Sequence, residues 1–275
     1  MKKKGFTLIE LIGVVVLLGA VLLIIIPVVN KSLKEGKQKL YDKQIETIKT
    51  SLNAWANENK PKNNETFYLT LSQLKSEGLV DVNIKNPITN EPFANDMILK
   101  VINENNILKY EVLTDTGSCK SNYTNIPKFD LNNSVEYIEI NTVYNDTIPV
   151  VKDKLDNVLN NSKSEGSVNS TKIGSYYITY SVSKDGDCNA VIKNVVVRDT
   201  QAPIIRYSSD LTINKSEINT YNFLSDVTAT DNSNTTPTIT VEHNLIAVPG
   251  LQSVTYKAVD SSGNVTTKTR SVIVK

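Results

Sequence analysis

The carboxylate of Glu10 stands at the mouth of nineteen uncharged residues, Leu11 to Val29, and follows the basic triplet Lys2-Lys3-Lys4. An acid on a membrane-length apolar helix costs about 2.5–3.5 kcal/mol at the helix centre on insertion scales, and less near the interface. Such a group is expected to do ionic work, because an opposite charge within about 4–6 Å makes its burial tolerable. Few other residues offer chemistry. The two cysteines, Cys119 and Cys188, lack a CxxC or Cys/His spacing for metal. His243 is the single histidine and has no nucleophile motif near it. Asp226, Asp231 and Asp260 are of the right type for Ca²⁺ but lack a loop of ligands at fixed spacing, and turn carboxylates are expected on structural grounds. The expectation is a chain with no enzymatic activity, no cofactor and no metal site.

The elements that must hold Glu10 follow from the pattern around it. The apolar run matches the ~20 residues that span a bilayer, and the lysines before it fit a positive-inside flank. Pro27-Val28-Val29-Asn30-Lys31 gives no small-residue cleavage site of the ordinary secretory kind. Beyond the membrane, Leu33, Leu40, Ile45, Ile48, Leu52 and Trp55 recur at helical intervals, so the helix is expected to run to about Glu58. The lysines between Lys31 and Lys49 are interleaved with Glu35, Asp42 and Glu46 and read as a solvated helix face. With a formal net charge of +1, bulk electrostatics gives no reason to expect direct nucleic-acid binding.

The opening Lys2-Lys3-Lys4-Gly5-Phe6-Thr7-Leu8-Ile9-Glu10, followed by the apolar run, resembles the signal of type IV prepilins and pseudopilins. That resemblance implies cleavage after Gly5 by a prepilin peptidase and N-methylation of the new amino terminus, Phe6. It also implies an assembly role for Glu10, opposite the terminal amine of a neighbouring subunit. Pilins commonly carry a proline at the depth of Pro27, and the resemblance implies that the helix between Gly19 and Pro27 can loosen on assembly. An uncleaved anchor explains the lysines and the apolar run but leaves Glu10 without a reason.

The rest of the chain reads as a small head and a repeat. Thr70 to Val80 is expected to hold a short helix with a stop at Gly78, and Met97–Asn103 and Ile107–Leu113 a hairpin. Leu71, Leu74, Gly78 and the run Ile84-Lys-Asn-Pro-Ile-Thr89 before Glu91-Pro-Phe93 resemble Gram-positive competence-type pseudopilin heads. Pro127 and Pro203, Gly174 and Gly250, and Thr179-Tyr180 and Thr255-Tyr256 each lie 76 positions apart. Two copies of strand-rich, turn-punctuated sequence point to sandwiches of the immunoglobulin-like (Ig-like) type, and their pattern resembles the bacterial Ig-like repeats of surface proteins. In such a sandwich Cys119 and Cys188 fall at one pole, so a disulfide is expected, with two free thiols as the alternative.

The expected fold class is therefore α+β: a long N-terminal transmembrane helix with a small pilin-like head, then two all-β Ig-like sandwiches. Expected divisions are a leader at 1–5, helix and head at 6–118, and Ig-like domains at 119–200 and 201–275. The implied role is a structural subunit, minor or at the tip, of a type IV pilus or of a type II secretion- or competence-like pseudopilus. Its Ig-like domains would serve adhesion or surface interaction. Expected partners are the prepilin peptidase, other pilin subunits through the N-terminal helix, the membrane before assembly, and an extracellular ligand. The chain would sit in the cell membrane as a single-pass protein, then in a surface filament with its C-terminal domains extracellular. The alternative is a membrane-anchored Ig-like adhesin that never enters a filament.

Overall fold

The computed structural model describes Gly5 and residues 7–113, 117–121, 123–131 and 135–275. Contacts divide the chain into two compact units. The first comprises Met1–Leu131, Pro149–Ser164 and Thr179–Ile192, and the second Asn132–Ile148, Glu165–Ile178 and Lys193–Lys275.

Helix α1, Leu8–Asn59, is continuous through Gly36 and through Pro27. At 1.5 Å per residue it is about 78 Å long. The expected stripe is buried only in its last part: Ile48, Leu52, Trp55 and Ala56 are inside, while Leu33 and Leu40 remain 60% and 57% exposed. The head explains the difference, because it packs on the later turns, from about Tyr41, whose ring lies 5.9 Å from that of Phe93, to the end of the helix. Trp55 meets the edge of Phe67 at 6.1 Å, and its indole N–H donates to Glu77. Lys60, left-handed at φ 44°, ends the helix by donating its N–H to the Ala56 carbonyl.

The head follows. Strand β1 is Thr66–Thr70, α2 is Leu71–Ser76, β2 is Ile98–Glu104 and β3 is Ile107–Val112; the strands form an antiparallel sheet in the order β1-β2-β3. Asn105 and Asn106 both have positive φ, the two-residue turn whose twist suits a tight hairpin. Leu69, Leu71, Leu74, Met97, Leu99 and Val101 close the core against the end of α1.

The remaining strands are β4 (Lys128–Asp130), β5 (Val135–Glu139), β6 (Val150–Lys152), β7 (Val158–Leu159), β8 (Lys163–Glu165), β9 (Gly174–Lys184) and β10 (Asp187–Arg198). They continue with β11 (Ile204–Arg206), β12 (Leu211–Ile213), β13 (Thr228–Thr230), β14 (Thr238–His243), β15 (Gly250–Val259) and β16 (Val265–Val274). The repeat seen in the sequence reappears as topology. One four-stranded sheet runs β5-β10-β9-β8 and another β12-β16-β15-β14, and in each the first strand pairs parallel with the last. Each repeat adds a smaller sheet, β4-β6-β7 or β11-β13. The sandwich-like second repeat packs Val254, Tyr256 and Ala258 of β15 and Val272 and Val274 of β16 against Ile213, Ile218 and Phe223. Alternation along β15 puts every second side chain inside, as a sheet with one covered face requires.

The N-terminal helix as candidate functional site

Thr7 opens α1 with a capping box. Its backbone N–H and its hydroxyl each donate to Glu10 Oε2 at 2.8 Å, and the Glu10 N–H returns to Thr7 Oγ1 at 3.4 Å. The pair satisfies donors that a helix start leaves open, and it places a carboxylate at the positive end of the helix dipole. Both contacts fall on one oxygen of Glu10; among the described residues Oε1 accepts no hydrogen bond. A second donor can therefore approach the acid without breaking the cap.

From Leu8 through Leu40 every residue of α1 is exposed. Its uncharged section, Leu11–Val29, is about 29 Å long at the helical rise, close to the ~30 Å of a bilayer core. The helix is long and apolar enough to cross a membrane, and none of its apolar window is buried within the structure. So large an apolar surface must be covered by lipid or by other helices. Charge resumes at Lys31, which lies 3.9 Å from Glu35 one turn on.

Of the residues singled out from the sequence, Gly5 is exposed ahead of the cap, and Phe6 lies outside the described residues. A model of the prokaryotic N-terminal methylation motif matches residues 1–26. The N-terminus carries a prepilin-type signal. It stands on a membrane-length helix followed by β-rich repeats, and the signal supports a pilin- or pseudopilin-like subunit. A prepilin-type signal implies processing by a prepilin peptidase, anchoring in the membrane and assembly with other pilins.

No curated protein matches the chain. Among solved structures, an M60 catalytic domain with its two CBM51 domains from Clostridium perfringens is similar at 11% identity and a TM-score of 0.34. The likeness covers 65% of this chain, which spans 33% of that one. A Bacteroides thetaiotaomicron lipoprotein is similar at 13% identity and TM-score 0.25, over 54% of this chain and 80% of its own. Human mucin-like protocadherin EC1-2 is similar at 10% identity and TM-score 0.25, over 55% and 98%. The fold class follows from the strand order and pairings above, not from these likenesses.

Cys119 and Cys188 form a disulfide within the first unit, with Cα atoms 5.5 Å apart. Cys119 is held to the head from both sides: its N–H donates to Asp96 Oδ1 at 3.1 Å, and its carbonyl accepts from the Asn95 N–H at 2.7 Å. Cys188 is the second residue of β10. His243 ends β14 with its ring 4.7 Å from that of Phe223. Asp226 is bound in a fork by Arg270, whose two terminal nitrogens each donate at 2.7 Å. The sequence reading grouped Asp226 with Asp231 and Asp260; the fold instead brings Asp199 to those two. Asp199 carried a signal that went unused: it is the first residue after a strand, as Asp231 is after β13 and Asp260 after β15.

Proposed function

We propose that the chain is a structural, non-catalytic subunit of a type IV pilus or of a type II secretion- or competence-like pseudopilus. It is cleaved after Gly5, methylated at Phe6 and packed into a filament through α1. The observation that carries this reading is an acid, one of whose oxygens accepts no hydrogen bond among the described residues, at the head of an apolar run that is exposed throughout, Leu11–Val29. In a filament the neighbouring subunit's terminal amine supplies the second donor, which offsets the cost of the buried charge. The two β-rich repeats fill most of the chain after residue 118 and would crowd a helical lattice if every subunit bore them. That bulk favours a minor or tip subunit, with the repeats turned to an extracellular surface or ligand.

Processing is tested by the mass of the N-terminal peptide from native envelopes. A methylated peptide beginning at Phe6 supports the reading; an intact Met1 would end it in favour of a membrane-anchored adhesin. Assembly is tested by Glu10→Ala. The stranded amine should cost about 3–5 kcal/mol, a hundredfold or more in subunit association. Filament incorporation should therefore be lost while membrane insertion stays intact. Normal incorporation of the variant would remove the ionic account.

A further inference from the structure

In the second unit, one carboxylate oxygen from each of Asp199, Asp231 and Asp260 lies within 4.8 Å of the other two. That is the largest separation open to oxygens around an ion bound at about 2.4 Å. Asp199 and Asp260 are only 8% and 7% exposed. The hydrogen bonds around them leave acceptors over. Asp199 takes the Ser262 hydroxyl on Oδ2 at 2.9 Å, while its Oδ1 is buried without a donor. Asp231 takes the Ser233 N–H on Oδ2, and its Oδ1 is likewise buried and unpaired. The neighbouring Asn232 donates its amide N–H to Glu139 at 2.8 Å, leaving its own oxygen buried with no donor. Asp260 is oriented by the backbone N–H groups of Ser262 and Asn264 and by the Asn264 amide.

Buried polar atoms are almost always paired, and buried like charges are tolerated when a metal or counter-charge joins them. Two orphaned carboxylate oxygens beside a third, fixed carboxylate call for a cation that joins them. The donor set is all carboxylate oxygen, which suits a hard divalent cation. We propose that Asp199, Asp231 and Asp260 form a calcium site where the first repeat passes into the second. Asp199 follows β10, the last strand of the first repeat, and Asp231 and Asp260 follow β13 and β15 of the second. Ca²⁺ takes six to eight oxygens in flexible geometry, whereas Mg²⁺ demands a near-ideal octahedron and gives up its water reluctantly. The partly open Asp231 leaves room for water to complete the shell.

The test uses the full-length chain in detergent micelles, stripped with EDTA and returned to CaCl2 or MgCl2. Equilibrium dialysis with ⁴⁵Ca²⁺ should find one ion per chain. At a hundredfold excess over Kd the unfolding midpoint of the β-repeats should rise by about 5–10 °C. Asp199→Asn and Asp231→Asn should each abolish both effects. In EDTA, Asp199→Asn should melt no lower than the wild type, because it relieves repulsion among acids; a merely structural aspartate would lose stability with and without calcium. The proposal is overturned if the wild type binds no calcium at 10 mM, if both variants respond as the wild type does, or if only Mg²⁺ shifts the midpoint.

Discussion

Arg270 is 1% exposed, yet it sits on the inward face of β16 in phase with Val272 and Val274. A guanidinium is tolerated in such a place when its charge is paired and its donors are hydrogen-bonded. Its two terminal nitrogens fork onto Asp226, its Nε donates to the Ser209 carbonyl, and its plane lies 4.8 Å from the Tyr207 ring. Asp226→Asn should leave the cation buried against a neutral partner and cost about 3 kcal/mol, the lower end for breaking such a pair because Asp226 is itself partly exposed. A lower denaturant midpoint with an unchanged slope would show it. The hydrogen bond from Arg270, then that from Ser208, holds the Asp226 carboxyl well below the usual carboxylate range. Stability from a depressed acid is complete above its unfolded value, ~3.9, and drains away as pH falls below it. The wild type should therefore lose more stability than Asp226→Asn between pH 5 and pH 2, and parallel losses would show that the pair does not titrate as described. The inward phase of Arg270 is legible in the sequence by counting back from Val274. Its partner is not, since Asp226 reaches it from a loop 44 residues earlier.

At the scale of elements, α2 acts on β10 as a strand would. The Gln73 side chain accepts the Ile192 N–H at 2.9 Å and donates to the Ile192 carbonyl at 2.8 Å, while the Thr70 hydroxyl donates to the Ala190 carbonyl at 2.8 Å. Two side chains thus pair backbone groups of β10 where a strand would otherwise do so, and a stretch of edge that would invite pairing with another chain is closed. Gln73→Ala should expose the cost of two buried, unpaired backbone groups and of a lost capping box, about 2–4 kcal/mol. Chemical denaturation checks the figure; a change under 1 kcal/mol would mean water replaces the amide. Periodicity and turn residues made the long helix, the Asn105-Asn106 hairpin and the 76-residue repeat legible beforehand, because each is a local preference written many times over. Gln73 looked like an ordinary residue of a short helix. Nothing local marks a side chain that substitutes for backbone. The acid cluster lies between these cases: three strands each followed by aspartate is a readable pattern, but their convergence is a property of the sheets.

For the whole molecule, the disulfide has a mechanical meaning. A molecule held by its N-terminal helix and pulled from its C-terminus carries tension along the covalent chain. At Cys119 that tension has two routes, and the shorter crosses the sulfur bridge to Cys188 and enters β10. The intervening chain, 69 positions in sequence, is slack by construction. Strand β5 belongs to that bypassed stretch, so its pairing with β10 bears none of the pull. The second repeat has no such bypass. Its β12 and β16 run parallel, so tension from opposite ends shears their ladder instead of peeling it bond by bond. Stretched singly by force spectroscopy, the oxidised molecule should lengthen by about 230 Å less than the reduced one, at roughly 3.3 Å per withheld residue. Equal lengths in the two states would place the bridge off the line of force. The sulfur bond thus acts as a tether stop, making the first repeat an inextensible link and leaving the second as the part that yields.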